Sequence, residues 1–380
     1  MPGINLKGDY YIMRILVYGC AGHLYGGIES FLLNMNEHMS KDCIFDYIII
    51  GDICLHKERI QKRGGNIFHI PSPKKNPFKH ISMLWKILKN QRKQTDILYF
   101  NLYSDAYILP IWMAKLCGYK VILHAHNNGL QSKGRLYSLL HNIGKNLLKI
   151  GKYIRWTNSI ISAKYMFGEK IKAEIIYNAI VPEKFRFNPV IREKVRKELK
   201  ADNGYIIGFV GRLENQKNPL FLLDIFNEVL KKRSDAILWI AGEGSLKKSM
   251  DEKIKTLNIE NKVKFLGHRN DINQLMQGMD VFILPSLFEG LGIVLIEAQA
   301  AGLNCIASNT VAMETKITEN IEYLSLNESA KAWAGHCIKP EIGTEKRLKA
   351  NDKIQKSAFN IKNEAARMEQ LFYLINKEQE

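Results

Sequence analysis

Arg212 and Lys217 follow the apolar run Tyr205 to Val210 directly, within Phe209-Val-Gly211-Arg212-Leu-Glu-Asn-Gln-Lys217-Asn-Pro219. Two cations at the carboxyl end of a strand can neutralise an anion, and ligands of open α/β sheets bind at that end. A second stretch, Asp280-Val-Phe-Ile-Leu-Pro-Ser-Leu-Phe-Glu289-Gly290-Leu291-Gly292-Ile-Val-Leu-Ile-Glu297, reads as an apolar strand, a loop with two glycines and a helix. Glycines let backbone N–H groups approach oxygen atoms closely. A helix start adds unpaired donors and a positive dipole end, which suits a diphosphate. A carboxylate accepts hydrogen bonds from vicinal hydroxyls, so Glu289 and Glu297 can hold a sugar and a ribose. Together these residues describe a nucleotide-sugar site whose diphosphate is met by Arg212 and Lys217. Without a ligand the same residues read as surface cations and solvated glutamates around a glycine loop.

Absences narrow the chemistry. The chain has no Asp-x-Asp and no His/Asp cluster at metal-ligand spacing, so no metal is expected to hold the diphosphate. Arg212, Lys217 and the helix after Gly290 to Gly292 can supply that stabilisation themselves. Neither a G-x-x-x-x-G-K loop nor a G-x-S-x-G elbow occurs, which argues against an NTPase or an α/β-hydrolase.

The elements that would position these residues alternate regularly. Arg14 to Tyr18 form a buried-strand run that enters a loop with Gly19, Gly22, Gly26 and Gly27, followed by an amphipathic helix over Ile28 to Met39. Apolar runs at Phe45 to Ile50, Ile67 to Ile70, Ile97 to Phe100, Lys120 to His124 and Ser159 to Ser162 alternate with helical stretches, the pattern of a parallel sheet. A second series comprises Tyr205 to Val210, Ala236 to Ile240, Val263 to Leu266, Val281 to Leu284 and Asn304 to Ala307. A hinge is expected near 180–203, where Pro182, Pro189 and a charged cluster interrupt the rhythm. Residues 1–12 precede the strand register, and Ala358 to Ile375 has the spacing of a packing helix. His23, His38, His56, His80, His141 and His336 read as solvated, and His124 as structural.

These stretches resemble the retaining glycosyltransferases of family 4, along nearly the whole chain. Gly26-Gly27-Ile28-Glu29 resembles the family's glycine-glycine-x-Glu loop, and His124-Ala-His126-Asn127-Asn128 its central histidine strand end. Ile176-Tyr177-Asn178-Ala179-Ile180 is similar to its pre-hinge element, with Ala179 where glycine is usual. Gly242-Glu243-Gly244 and Phe265-Leu266-Gly267-His268 resemble its base-binding loops, and the E-x7-E spacing matches at Glu289 and Glu297.

The resemblance implies an α/β GT-B fold: two facing Rossmann-like domains with parallel sheets and a C-terminal helix closing the fold. The expected boundaries are 1–185 for the acceptor domain, 186–355 for the donor domain and 356–380 for a helix returning toward the first domain. It implies catalytic roles for His126, Arg212, Lys217 and Glu289. Donor contacts are implied for Gly27, Gly211, Gly242, Glu243, Gly244, Leu266, Gly267, His268, Gly290, Leu291, Gly292 and Glu297. Gly26, Glu29, Asn127 and Asn178 are expected at the acceptor or between the domains. The implied activity is retaining transfer of a hexose or N-acetylhexosamine from a UDP-type nucleotide sugar to a lipid-linked glycan, in capsule or exopolysaccharide synthesis. No cofactor or metal is called for. A nucleotide-sugar 2-epimerase of the same fold and a non-catalytic, membrane-associated assembly partner remain alternatives.

Composition fits this reading. With 46% hydrophobic and 24% charged residues the chain can build packed cores, which excludes disorder as the main state. Its six cysteines are scattered without a C-x-x-C pair, and no apolar run is long enough to span a membrane; a cytoplasmic location is expected. The net charge of +17 is concentrated: residues 1–190 hold 27 Lys and Arg against 12 Asp and Glu. Such a half attracts polyanions, yet no RNA-binding fingerprint or finger spacing accompanies it, so no nucleic-acid partner is expected. Between Lys133 and Arg155, Leu136, Leu139, Leu140, Ile143, Leu147, Ile150 and Ile154 recur at helical steps among Lys133, Arg135, Lys145, Lys149, Lys152 and Arg155. A basic amphipathic helix there would lie on an anionic membrane surface, or pack its stripe into the core.

Overall fold

The computed structural model describes residues 12–23, 26–102, 107–126, 142–148 and 151–377. The chain divides into two compact units, 1–178 with 361–380 and 179–360. The division therefore falls at Asn178 and Asn360, whereas the sequence put it at 185 and 356.

In the first unit, β1 (Met13–Cys20), β2 (Cys43–Ile50), β3 (Ile67–Ile70), β4 (Ile97–Leu102), β5 (Lys120–Ala125), β6 (Ile154–Thr157) and β7 (Glu174–Ile175) form one parallel sheet. Its order is β3-β2-β1-β4-β5-β6-β7, so the chain reverses its direction of travel between β1 and β4. Helices α1 (Gly27–His38), α2 (Lys57–Lys62), α3 (Pro77–Gln91), α4 (Leu109–Leu116), α5 (142–148) and α6 (Ile160–Phe167) belong to this unit. β2 and β4 are buried almost throughout, as strands covered on both faces must be.

The run Ser159 to Ser162 is not a strand. Ser159 is the N-cap of α6 and accepts from Ser162 N at 3.2 Å, while the strand lies at Ile154–Thr157. Four apolar-bounded residues carry no periodicity, and the capping serine decides. For the same reason the basic helix expected up to Arg155 stops short: Ile154 and Arg155 open β6, and the described helix is 142–148. Lys133, Arg135, Leu136, Leu139, Leu140, His141, Lys149 and Ile150 lie outside the described residues, as does Asn127.

The second unit carries β8 (Tyr205–Val210), β9 (Ala236–Ala241), β10 (Val263–Gly267), β11 (Val281–Leu284), β12 (Asn304–Ser308) and β13 (Ile321–Leu324), parallel in the order β10-β9-β8-β11-β12-β13. Here the reversal lies between β8 and β11. Its helices are α7 (Pro189–Glu198), α8 (Pro219–Leu230), α9 (Lys247–Leu257), α10 (Ile272–Gly278), α11 (Ile293–Ala300), α12 (Ala330–Cys337) and α13 (Thr344–Lys356). The charged stretch expected as part of a hinge is α7. Asn188 caps it, and Arg192 and Arg196 each reach Asp280 at 2.6 Å, which ties the helix to the start of β11. Ala179 has no left-handed backbone, since the non-glycine residues described with positive φ are Lys200, Asn218 and Asn258.

The chain then returns to the first unit as α14 (Ile361–Lys377). Phe372 packs its ring against Trp156, Tyr99 and Phe45, with centroids 5.0, 5.6 and 5.8 Å apart. Glu369 accepts from Ser40 N at 2.8 Å, and Lys120 Nζ donates to the last carbonyls of the helix at Ile375 and Asn376.

Candidate active site

The site in the second unit is built where its sheet reverses, the place where open α/β sheets leave a crevice beyond the strand ends. β8 delivers Arg212 and Lys217 from one side, and β11 delivers Ser286 and Glu289 from the other. Lys217 Nζ meets Glu289 Oε1 at 2.6 Å, and Ser286 Oγ donates to the same oxygen at 2.6 Å. Ser286 is held in turn, because its carbonyl accepts from Ser308 Oγ and Thr310 Oγ1. Arg212 is exposed and donates to Gln216 Oε1 at 3.1 Å. Gln216 joins the two loops: its Nε2 donates to Phe288 O at 3.1 Å, and its carbonyl accepts from Leu287 N at 2.8 Å.

Three further loops close on this crevice. Gly242 N donates to Gly267 O at 2.8 Å, and Leu213 N donates to Glu243 O at 2.8 Å. Gly242 has to be glycine, because its φ is +140° and a Cβ there would stand 2.0 Å from Gly211 O. Gly244 lies against Leu213, and Glu243 Oε1 accepts from His268 N at 3.4 Å. Gly211, Gly242, Glu243, Gly244, Leu266, Gly267 and His268 thus form one connected rim at the ends of β8, β9 and β10. Gly290, Leu291 and Gly292 lead into α11, with Leu291 buried and Gly292 as the N-cap. Glu297, within α11, is partly buried and makes no hydrogen bond or ion pair among the described residues. Burial pushes its carboxyl up to about 7.

Residues 190–357 match the family described as Glycosyl transferases group 1. EpsF of Bacillus subtilis (strain 168), named as a candidate glycosyltransferase, is 30% identical over 81% of this chain and 83% of its own. The chain belongs to the group 1 glycosyl transferases. A UDP-Gal:α-D-GlcNAc-diphosphoundecaprenol α-1,3-galactosyltransferase of Escherichia coli is 30% identical to this transferase over 61% of this chain and 62% of its own. The crystal structure of Anabaena HepE in complex with UDP-glucose covers 96% of this chain and 98% of its own at 17% identity, with a TM-score of 0.68, and the shared fold is GT-B.

The first unit of the transferase gathers a second group at its own sheet reversal. His126, just past β5, has Nε2 2.8 Å from Asn101 Oδ1, and its carbonyl accepts from Asn158 Nδ2 at 3.1 Å. Burial pushes the His126 imidazole down to about 3, so it stays neutral through the physiological range. His124 is fully buried against Tyr99 OH. Glu29, buried at the start of α1, accepts from Ala21 N at 2.8 Å and so braces the glycine loop from within. Gly26 and Gly27 form the N-cap and first residue of α1, and Asn178 ends the first of the unit's two chain segments.

Two of the histidines read as solvated are buried instead. His80 Nδ1 contacts Pro71 O at 2.6 Å and His56 lies under 5% exposed, since an imidazole with one backbone partner fits a core better than a charged side chain does. His336 pairs with Glu322 at 2.6 Å. Spacing missed Ser286, Gln216 and Asn101. None belongs to a charged pattern, and each acts by holding another residue in place.

Proposed function

We propose that the transferase moves a hexose or N-acetylhexosamine, with retention, from a UDP-type nucleotide sugar to a lipid-linked glycan in extracellular polysaccharide or O-antigen-type assembly. The observation that carries this reading is the junction of Lys217, Ser286 and Glu289 at the β8/β11 reversal, with Glu297 on the helix that follows and without a hydrogen-bond partner among the described residues. Support for the donor and acceptor classes comes from the printed activity of the E. coli relative, with a UDP-galactose donor and an undecaprenol-linked acceptor, and from UDP-glucose in HepE. An O-antigen biosynthesis glycosyltransferase, WclY of E. coli, is a further relative at 26% identity.

In this mechanism Glu297 accepts from the ribose hydroxyls and Glu289 from the transferring sugar. The bond between the sugar's anomeric carbon and the β-phosphate oxygen breaks, and the acceptor oxygen bonds that carbon on the same face. The acceptor proton passes to an oxygen of the departing diphosphate. Arg212, Lys217 and the N-terminus of α11 stabilise the charge that develops there, so no metal is required. Purified protein supplied with UDP-sugars and a polyprenyl-diphosphate sugar should release UDP and form product with the donor's anomeric configuration, in EDTA as in Mg²⁺. No turnover with any donor of the panel would overturn the reading.

The same proposal places the first unit against an anionic membrane. Ile143 and Leu147 of α5 are 48% and 40% exposed, and Leu116 of α4 is 78% exposed beside exposed Trp112. Lys115 lies over Tyr153, at 5.5 Å, and Lys145 over Tyr165, at 4.1 Å, so α4 and α5 each carry a cation as well as exposed apolar side chains. Leu148 of α5, outside that stripe, is buried. Among the described residues no helix is long and apolar enough to cross a membrane, so attachment here is peripheral.

A further inference from the structure

Asn101 lies in β4, is fully buried, and uses both ends of its side-chain amide. Nδ2 donates to Tyr18 O at 3.3 Å, and Oδ1 faces His126 Nε2 at 2.8 Å. A backbone carbonyl only accepts, so the amide nitrogen must face Tyr18 and the amide oxygen must face His126. An amide oxygen also only accepts, so the proton between the two side chains belongs to His126 Nε2. The neutral imidazole then carries its lone pair on Nδ1, which has no protein partner among the described residues.

We propose that Asn101 is a positioning residue: it fixes His126 in the Nε2–H form, so that Nδ1 is offered to a ligand hydroxyl as a hydrogen-bond acceptor. This rests on the reading of His126 as ligand-facing. The surrounding contacts leave the ring little freedom to choose otherwise. Asn158 holds the His126 carbonyl, Phe31 meets the ring edge-on at 5.4 Å, and the His124 ring lies 4.0 Å away. Asn101 is itself fixed at the β1 turn. Gly19 has φ +89°, and a Cβ there would stand 2.2 Å from Asn101 O, so only glycine lets the two strand ends approach this closely. A fixed acceptor cannot protonate a leaving group. It orients a hydroxyl, leaving that oxygen's lone pairs directed away from the ring.

The test uses the full chain labelled with ¹⁵N-histidine, His126 being assigned by the signal lost in His126→Gln. The expected result is an Nε2–H tautomer in the wild type and loss of that preference in Asn101→Leu. UDP release from UDP-glucose and UDP-galactose provides the second readout. Asn101→Leu should lower kcat/KM about tenfold, the scale of one hydrogen bond, and should add no further loss to His126→Ala. An Nδ1–H tautomer in the wild type overturns the role of Asn101, as does a fully additive double variant. If Asn101→Leu does not fold, the wild-type tautomer decides alone. Wild-type turnover in His126→Ala would overturn the offered acceptor by a different route, because the reading of His126 as ligand-facing would then have failed.

Discussion

Lys217 and Glu289, 72 residues apart in sequence, form a 2.6 Å ion pair across the reversal of the second sheet. Both side chains are largely buried, so each neutralises a charge that the other would otherwise leave in a poorly solvated crevice. The pair therefore has two roles that mutation can separate. One holds the β8 and β11 loops together, and the other, in the proposed mechanism, presents a cation and a carboxylate to a donor.

Lys217→Ala should lower turnover by about 10² to 10³, the cost of removing one stabiliser of transition-state charge, and should also lower Tm because the largely buried Glu289 loses its cation. Adding Glu289→Gln should restore much of the Tm and none of the turnover. Arg212→Ala should show a comparable kinetic loss with an unchanged Tm, since this exposed guanidinium makes one hydrogen bond, to Gln216, among the described residues. Thermal melts and UDP release at saturating donor check both; near wild-type kcat in the two single variants would remove them from the mechanism.

The two carboxylates should separate kinetically. A ribose contact is made almost equally in ground and transition states, so Glu297→Gln should chiefly raise the KM for the donor. Glu289→Gln should chiefly lower kcat, because in the proposed mechanism its partner is the sugar being transferred. The opposite pattern in initial-rate measurements would exchange their assignments.

Much of this was legible beforehand for a physical reason. A buried strand followed within a few residues by glycine and charged side chains, as at Val210 to Lys217 and Leu284 to Gly292, announces the element and marks a candidate site. The strand at Ile154–Thr157 was not legible, because its short run adjoins a helix that begins with similar apolar residues and is distinguished only by the Ser159 cap. Nor was α7: a Lys/Arg/Glu cluster reads as a solvated linker until Asp280 is seen to receive Arg192 and Arg196. The polar residues that position others, Asn101, Gln216 and Ser286, depend on pairings between distant strand ends that local spacing does not encode.

Glu297 should give the donor affinity a pH dependence. Burial raises its carboxyl from the ordinary 4.5 to about 7, so the folded protein binds the proton more tightly than the unfolded chain does. Stability from this group is full below about 4.5, declines as pH rises toward 7, and is level above that. Ligand hydroxyls favour the ionised form, so the donor KM should fall between pH 6 and 8 while folding stability falls slightly. In Glu297→Gln both trends should vanish and Tm at pH 8 should rise; unchanged pH profiles would show that this carboxyl does not titrate in the site.

Membrane attachment should depend on charge and on apolar insertion together. Lys145 lies on the same helix as the exposed Ile143 and Leu147, and Lys152 is exposed just beyond α5. In co-sedimentation, the protein should bind phosphatidylglycerol vesicles, bind phosphatidylcholine vesicles weakly, and lose binding as salt screens the cations. Lys145→Gln, Lys149→Gln and Lys152→Gln together should weaken binding, while Ile143→Ser with Leu147→Ser should weaken it even at low salt. Because these two side chains are already exposed, their replacement should leave Tm and UDP release from soluble donor unchanged. A marked loss of Tm in that pair would assign the stripe to the core, and equal binding to both vesicle types would remove the electrostatic part.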